Sequence, residues 1–150
     1  MLTLNKKIIV AIDGSPQSDK AAEEAVRLAS VSGTRFKSNI YALLVLPKAD
    51  APATVDSQSG STLNAAIDMD AAQKNIFYVI EKSAREAGVE LENLIVYGDP
   101  AAAIVRVAKQ KECDVIVIGS SGKGRVKRAL LGSVSAEVAL QAHISVYIVR

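Results

Sequence analysis

The chain has 150 residues, about half of them apolar, with 18 Lys and Arg against 16 Asp and Glu and a formal net charge of +2. A lone cysteine excludes an internal disulfide, and with a lone histidine it excludes a His/Cys metal cluster; charges that interleave, with no Trp and no aromatic–basic stripe, exclude a stacking platform for nucleic acid. The opening Met-Leu-Thr-Leu-Asn-Lys-Lys leads into an apolar run too short for a signal sequence or a membrane span, so one cytoplasmic domain over 1–150 is expected, with neither nucleic acid nor membrane as partner.

Five short, β-branched apolar runs follow one another at 8–12, 40–46, 91–97, 115–118 and 144–149. Helical periodicity fills the intervals, which predicts a β–α order repeated five times with a final strand closing the sequence. The first helix starts at Ser15-Pro16, a capping residue before proline at the first helical position, and buries Ala22, Ala25, Val26 and Ala29. Residues 47–62 are polar, rich in Ala, Pro and Ser and without periodicity, the pattern of a flexible loop. A second helix over about 64–87 stacks Ile76, Ile80, Ala84 and Ala87, with Phe77 beside them, and Gly88 ends it. The third repeats the first: Asp99 caps, Pro100 follows, and Ile104, Val107 and Ala108 face inward.

Strands alternating with helices predict an α/β fold: a doubly wound, five-stranded parallel sheet, strand order 3-2-1-4-5, with helices on both faces. Such sheets take ligands at the carboxyl ends of their strands, where the winding reverses. Two strands end alike, Val10-Ala-Ile-Asp13-Gly-Ser15 and Val117-Ile-Gly119-Ser-Ser121, as the two walls of one crevice would.

After the fourth strand come Gly119-Ser-Ser-Gly122, nine residues, and Gly132-Ser133. Glycines let the backbone approach an anion, and a helix starting at Gly132-Ser133 aims unpaired N–H groups at the same point. The loop carries Lys123, Arg125, Lys127 and Arg128 and no acid, on a chain that is otherwise net acidic. Either solvated loop charges or phosphate ligands fit Lys123 and Arg125. Asp13 is either a turn-capping acid or a carboxylate for ligand hydroxyls; the cap at Ser15 favours the second. Ser133 fits both a helix cap and an anion ligand. Cys113 reads as inert packing and His143 as a helix-end residue.

On Lys7-Ile-Ile-Val-Ala-Ile-Asp13-Gly-Ser15, Tyr97-Gly-Asp-Pro100, Cys113-Asp-Val-Ile-Val-Ile-Gly-Ser-Ser-Gly-Lys-Gly and Leu130-Leu-Gly-Ser133-Val-Ser, the sequence resembles the universal stress protein family, in particular its ATP-binding members with a Gly-x2-Gly-x9-Gly-[Ser/Thr] pattern. The resemblance covers essentially the whole chain outside 47–62. It implies ATP, with or without Mg2+, in the crevice, with AMP or a cyclic nucleotide as alternatives. Asp13 would hold the ribose beside the backbone of Ala11 and Ile12. Val45 would pack on adenine, although core packing alone also suits it. Ile118, Gly119, Ser120 and Ser121 would run under the nucleotide, and Gly122, Gly132, Ser133, Val134 and Ser135 would wrap its phosphates. Ser121 stands where family members often carry a larger or charged side chain, and His143-Ile144-Ser145 replaces a usual proline.

No G-x-S-x-G elbow, Walker-type G-x4-G-K-[ST] or paired-carboxylate constellation stands out. A nucleotide-dependent regulatory module of stress response is therefore expected, without strong catalysis; a slow ATPase or adenylyl-transferring enzyme on the same fold is the alternative. The last strand, an unguarded edge, predicts a homodimer through 144–149. A protein partner, unnamed by the sequence, would read the nucleotide.

Overall fold

The structure, a computed structural model, describes residues 6–31, 38–51, 69–120 and 131–150, together with the backbone of 63–64. The elements are β1 (Lys7–Ile12), α1 (Pro16–Ser30), β2 (Asn39–Leu46), β3 (Leu63–Asn64), α2 (Ala71–Ala87), β4 (Glu90–Tyr97), α3 (Pro100–Gln110), β5 (Val115–Gly119), α4 (Ser133–Gln141) and β6 (Ser145–Val149). They form one sheet in the order β3-β4-β2-β1-β5-β6. Five strands are parallel; without the short β3, their order is the expected 3-2-1-4-5. Among the described residues four helices alternate with these five strands. The β–α unit therefore repeats four times before the closing strand, because the fifth apolar run is that strand.

Alternation along each strand sorts the core into two layers. Ile8, Val10 and Ile12 of β1 and Ile40, Ala42 and Leu44 of β2 meet α1 and α2 on one face. Ile9 of β1, Leu43 of β2 and Ile116 and Ile118 of β5 meet α3 and α4 on the other. Nearly continuous burial along the central strands explains why they read as unbroken apolar runs.

Local signals set most helix starts. Ser15 Oγ accepts from Ser18 N–H at 3.1 Å, and Asp99 Oδ2 accepts from Ala102 N–H at 3.0 Å, each with proline next. The second helix begins at Ala71, not near 64. Asp70 and Gln73 close a reciprocal capping box there, Asp70 Oδ1 accepting from Gln73 N–H at 2.8 Å. Gly88 ends α2 at φ 67°, as expected. Phe77, Ile80 and Ala84 are buried and Ile76 is half-buried, but Ala87 in the last turn is exposed. Of the expected loop at 47–62, Lys48–Asp50 form a short 3-10 turn, and 52–62 lie outside the described residues. Beyond it β3 pairs antiparallel with β4, Leu63 opposite Ile95 and Asn64 opposite Leu94. A two-residue strand has no periodicity of its own to announce it.

Candidate functional site

The crevice lies where β1 and β5 run side by side, Val10 opposite Val117. From their carboxyl ends the chain leaves toward opposite faces, into α1 from β1 and toward α4 from β5. This is the reversal point at which doubly wound sheets leave room for a ligand.

Asp13 stands at the exit of β1. Its Oδ1 accepts from Ser15 N–H at 2.8 Å, and its own N–H donates to Ser18 Oγ at 3.1 Å. Gly14 between them has φ 82°, a conformation that suits glycine, and a Cβ there would come 3.2 Å from Ile76 Cγ1. The carboxylate is exposed, and its Oδ2 has no hydrogen-bond partner among the described residues. Asp13 therefore holds the turn with one oxygen and leaves the other without a partner among the described residues. Asp19, one turn into α1, has its carboxyl pushed up by burial and further by the Asp13 carboxylate. Gly14 and Ser18 were not singled out from sequence, although Asp-Gly-Ser-Pro is a turn signature that pointed to the first.

Ala11, Val45 and Ile118 share the α3/α4 face of three adjacent strands. Val45 lies two residues beyond Leu43, the neighbour of Ala11, so the three side chains make an apolar shelf toward the carboxyl edge. Ile12 points into the opposite layer and is 4 % exposed, so only its backbone serves the crevice.

The glycine loop is anchored at both ends. A Cβ on Gly119 would stand 2.9 Å from the Gln17 carbonyl oxygen, so this glycine lets β5 abut the first turn of α1. Ser120 N–H donates to the Val149 carbonyl at 2.8 Å, and the Ser120 carbonyl accepts from Gly132 N–H and from Ser135 Oγ. Ser135, 2 % exposed, thus has its hydroxyl committed to the Ser120 and Gly132 carbonyls, both at 3.0 Å. Only its N–H remains for the crevice.

Helix α4 starts on Gly132 with no side-chain cap, whereas Ser15, Asp70 and Asp99 cap the other three. Its first intrahelical bond runs from Ala136 N–H to the Gly132 carbonyl at 2.9 Å. The N–H groups of Ser133, Val134 and Ser135 precede that bond, at the positive end of the helix dipole. Ser133 is exposed, and Val134 packs against the α3/α4 core. Ser121 and Gly122, with Lys123, Arg125, Lys127 and Arg128, lie outside the described residues.

Away from the crevice, burial pushes the Cys113 thiol up to about 12, which leaves it protonated at neutral pH and inert as a nucleophile. Among the described residues no group of three or more His, Cys, Asp or Glu could hold a metal ion, and no helix is long and apolar enough to cross a membrane.

The family model described as universal stress protein family matches residues 4–150. A universal stress protein of Methanocaldococcus jannaschii is 35 % identical over 150 residues, covering 98 % of this chain and 83 % of that one. One from Bacillus subtilis is 34 % identical over 151 residues, covering 96 % and 98 %. The crystal structure of a universal stress protein in complex with cAMP superposes with a TM-score of 0.67 at 26 % identity, covering 97 % and 96 % of the two chains.

Proposed function

The chain belongs to the universal stress protein family, and on that footing we propose that it is an ATP-binding regulatory module with its nucleotide at the carboxyl edge of β1 and β5. The observation that carries this reading is the start of α4 without a side-chain cap, tied by Gly132 N–H to Ser120 at the end of β5, the strand beside the one that Asp13 follows. Triphosphate oxygens would take the N–H groups of Ser133, Val134 and Ser135 and the Ser133 hydroxyl. Gly122 and Ser121 would complete the wrap, with Mg2+ carried on the phosphates. Asp13 Oδ2 would accept from the ribose hydroxyls while Oδ1 keeps the turn. The base would lie on the shelf of Ala11, Val45 and Ile118, beside the backbone of Ile12, with Gly119 and Ser120 beneath the nucleotide. The relative that superposes with cAMP bound supports an adenine nucleotide here.

The described residues supply no base placed to activate water, so occupancy rather than turnover is the signal, read by a protein partner in stress response. A second copy pairs along β6, whose outer edge meets no strand among the described residues.

Gly132 gives the direct test. Its backbone, φ −63° and ψ 161°, is one that any residue adopts, so a side chain there would act by filling the space proposed for phosphate and not by straining the backbone. Gly132→Val should fold as the wild type does by circular dichroism and lose ATP binding by calorimetry. Unchanged affinity overturns the phosphate site. Release of ADP or AMP by the wild type with ATP and Mg2+ replaces the regulatory reading with the enzymatic one.

A further inference from the structure

At the other end of the sheet, a second cavity of about 440 Å³ lies between the end of α3 and the segment entering β6. Ala108, Ile116 and Ile144 contribute to its apolar wall, and Glu112 is the one acid among its lining residues, with Lys109 on the same rim. Glu112 is held at φ 54°, in the left-handed region where helix ends favour glycine or asparagine. The helix end is nonetheless well formed, with Cys113 N–H donating to the Ala108 carbonyl at 2.9 Å. Among the described residues no hydrogen bond or ion pair reaches it, and Arg150 is likewise exposed and unpaired.

We propose that in the homodimer the partner's Arg150 closes the mouth of this cavity and pairs with Glu112; the inference rests on the β6 pairing proposed above. The register follows from the backbone. Ser120 N–H binds the Val149 carbonyl, so Val149 turns its polar groups inward to β5. By alternation Ile144, Val146, Ile148 and Arg150 turn theirs outward, to the open edge. A two-fold antiparallel pair that uses all five residues of β6 is centred on Tyr147. It sets Val146 opposite the partner's Ile148 and, one step further, Ile144 opposite the partner's Arg150. Directly opposite residues share a face. Ile144 packs on the α3/α4 face and lines the cavity, so the partner's Arg150 projects beside the rim that holds Glu112. Within one protomer Arg150 lies about 20 Å along the strand from Ile144. The pair therefore forms only between copies.

Sedimentation equilibrium on the full chain tests this with Glu112→Arg, Arg150→Glu and an equimolar mixture of the two. Each variant alone should weaken the dimer on the order of tenfold, through like charges facing each other at both ends. The mixture should recover near-wild-type association, since a mixed dimer carries one native and one exchanged pair. Glu112→Gly guards against misfolding: it relieves the left-handed backbone, so its thermal midpoint should hold or rise while its dimer weakens. Variants that associate as tightly as wild type, or a mixture that fails to recover, overturn the Glu112–Arg150 pair while the β6 dimer stands. A monomeric wild type overturns both.

Discussion

At the residue scale, the two oxygens of Asp13 divide an observed turn bond from a proposed ligand contact. Asp13→Ala removes the turn bond to Ser15 as well as the proposed ribose acceptor, so lost binding alone would not distinguish the roles. The dideoxy analogue does. Asp13→Ala should weaken ATP by roughly 1.5–3 kcal/mol, the range of hydrogen bonds to a charged group. It should leave 2′,3′-dideoxy-ATP binding nearly unchanged, both read by calorimetry. Equal losses for the two nucleotides would assign Asp13 to the turn alone. Whereas Asp13 was legible because an acid at the end of a strand is a local pattern, the requirement for glycine at 119 was not. Its cause is the Gln17 carbonyl, about a hundred residues earlier in the chain. The family resemblance placed Ser135 among the phosphate ligands, and the structure turns its hydroxyl to the Ser120 and Gly132 carbonyls instead.

At the element scale, α1 and β6 are tied by side chains. Tyr147 OH donates to Glu24 Oε1 at 2.9 Å, and Arg27 Nε donates to both oxygens of the same carboxylate, at 3.0 and 2.9 Å. The Arg27 guanidinium holds the Glu24 carboxyl below its ordinary 4.5, with the Tyr147 hydroxyl adding to this and partial burial opposing it. A carboxyl lowered on folding contributes stability that is present above its unfolded value and lost as pH falls through the folded one. The thermal midpoint of wild type should therefore exceed that of Glu24→Gln at pH 7, and the gap should close as pH drops below about 4.5. A gap independent of pH would deny the carboxylate this part. Elements with capping signals of their own, α1 and α3, were readable at their starts and on their inward faces. The start of α2 was overrun because Ala65, Ala66 and Ile67 extend the apolar pattern beyond the capping box that Asp70 and Gln73 form. β3 was unreadable because its two residues become a strand only against β4.

At the scale of the whole molecule, the parallel sheet leaves β6 as an edge whose side chains divide between the two layers, Val149 with one and Val146 and Ile148 with the other. A strand so placed is already half a core. The outward N–H of Val146 is free for a partner, so Val146→Pro deletes a donor between copies while the ladder to β5 keeps its bonds. Sedimentation at micromolar concentration should find wild type dimeric and Val146→Pro shifted toward monomer, with little change in thermal midpoint. A variant that stays dimeric would move the interface elsewhere. A parallel, doubly wound sheet was foreseeable from the alternation of elements; the proposed facing copy would belong to a second chain, and in the sequence only the missing guard residues on the edge and the family resemblance pointed to it.

The main chain of Ser120 is bound on both sides, to Val149 at the end of β6 and to Gly132 and Ser135 where α4 begins. The backbone of one residue, through its N–H on one side and its C=O on the other, thus joins the proposed phosphate cradle to the proposed dimer strand. Binding free energies that share such a joint are reciprocal: the factor by which ATP changes dimer affinity equals the factor by which dimerisation changes ATP affinity. Abundance of the protein would then set its nucleotide occupancy, and a cell could tune the response by making more of the chain at constant ATP.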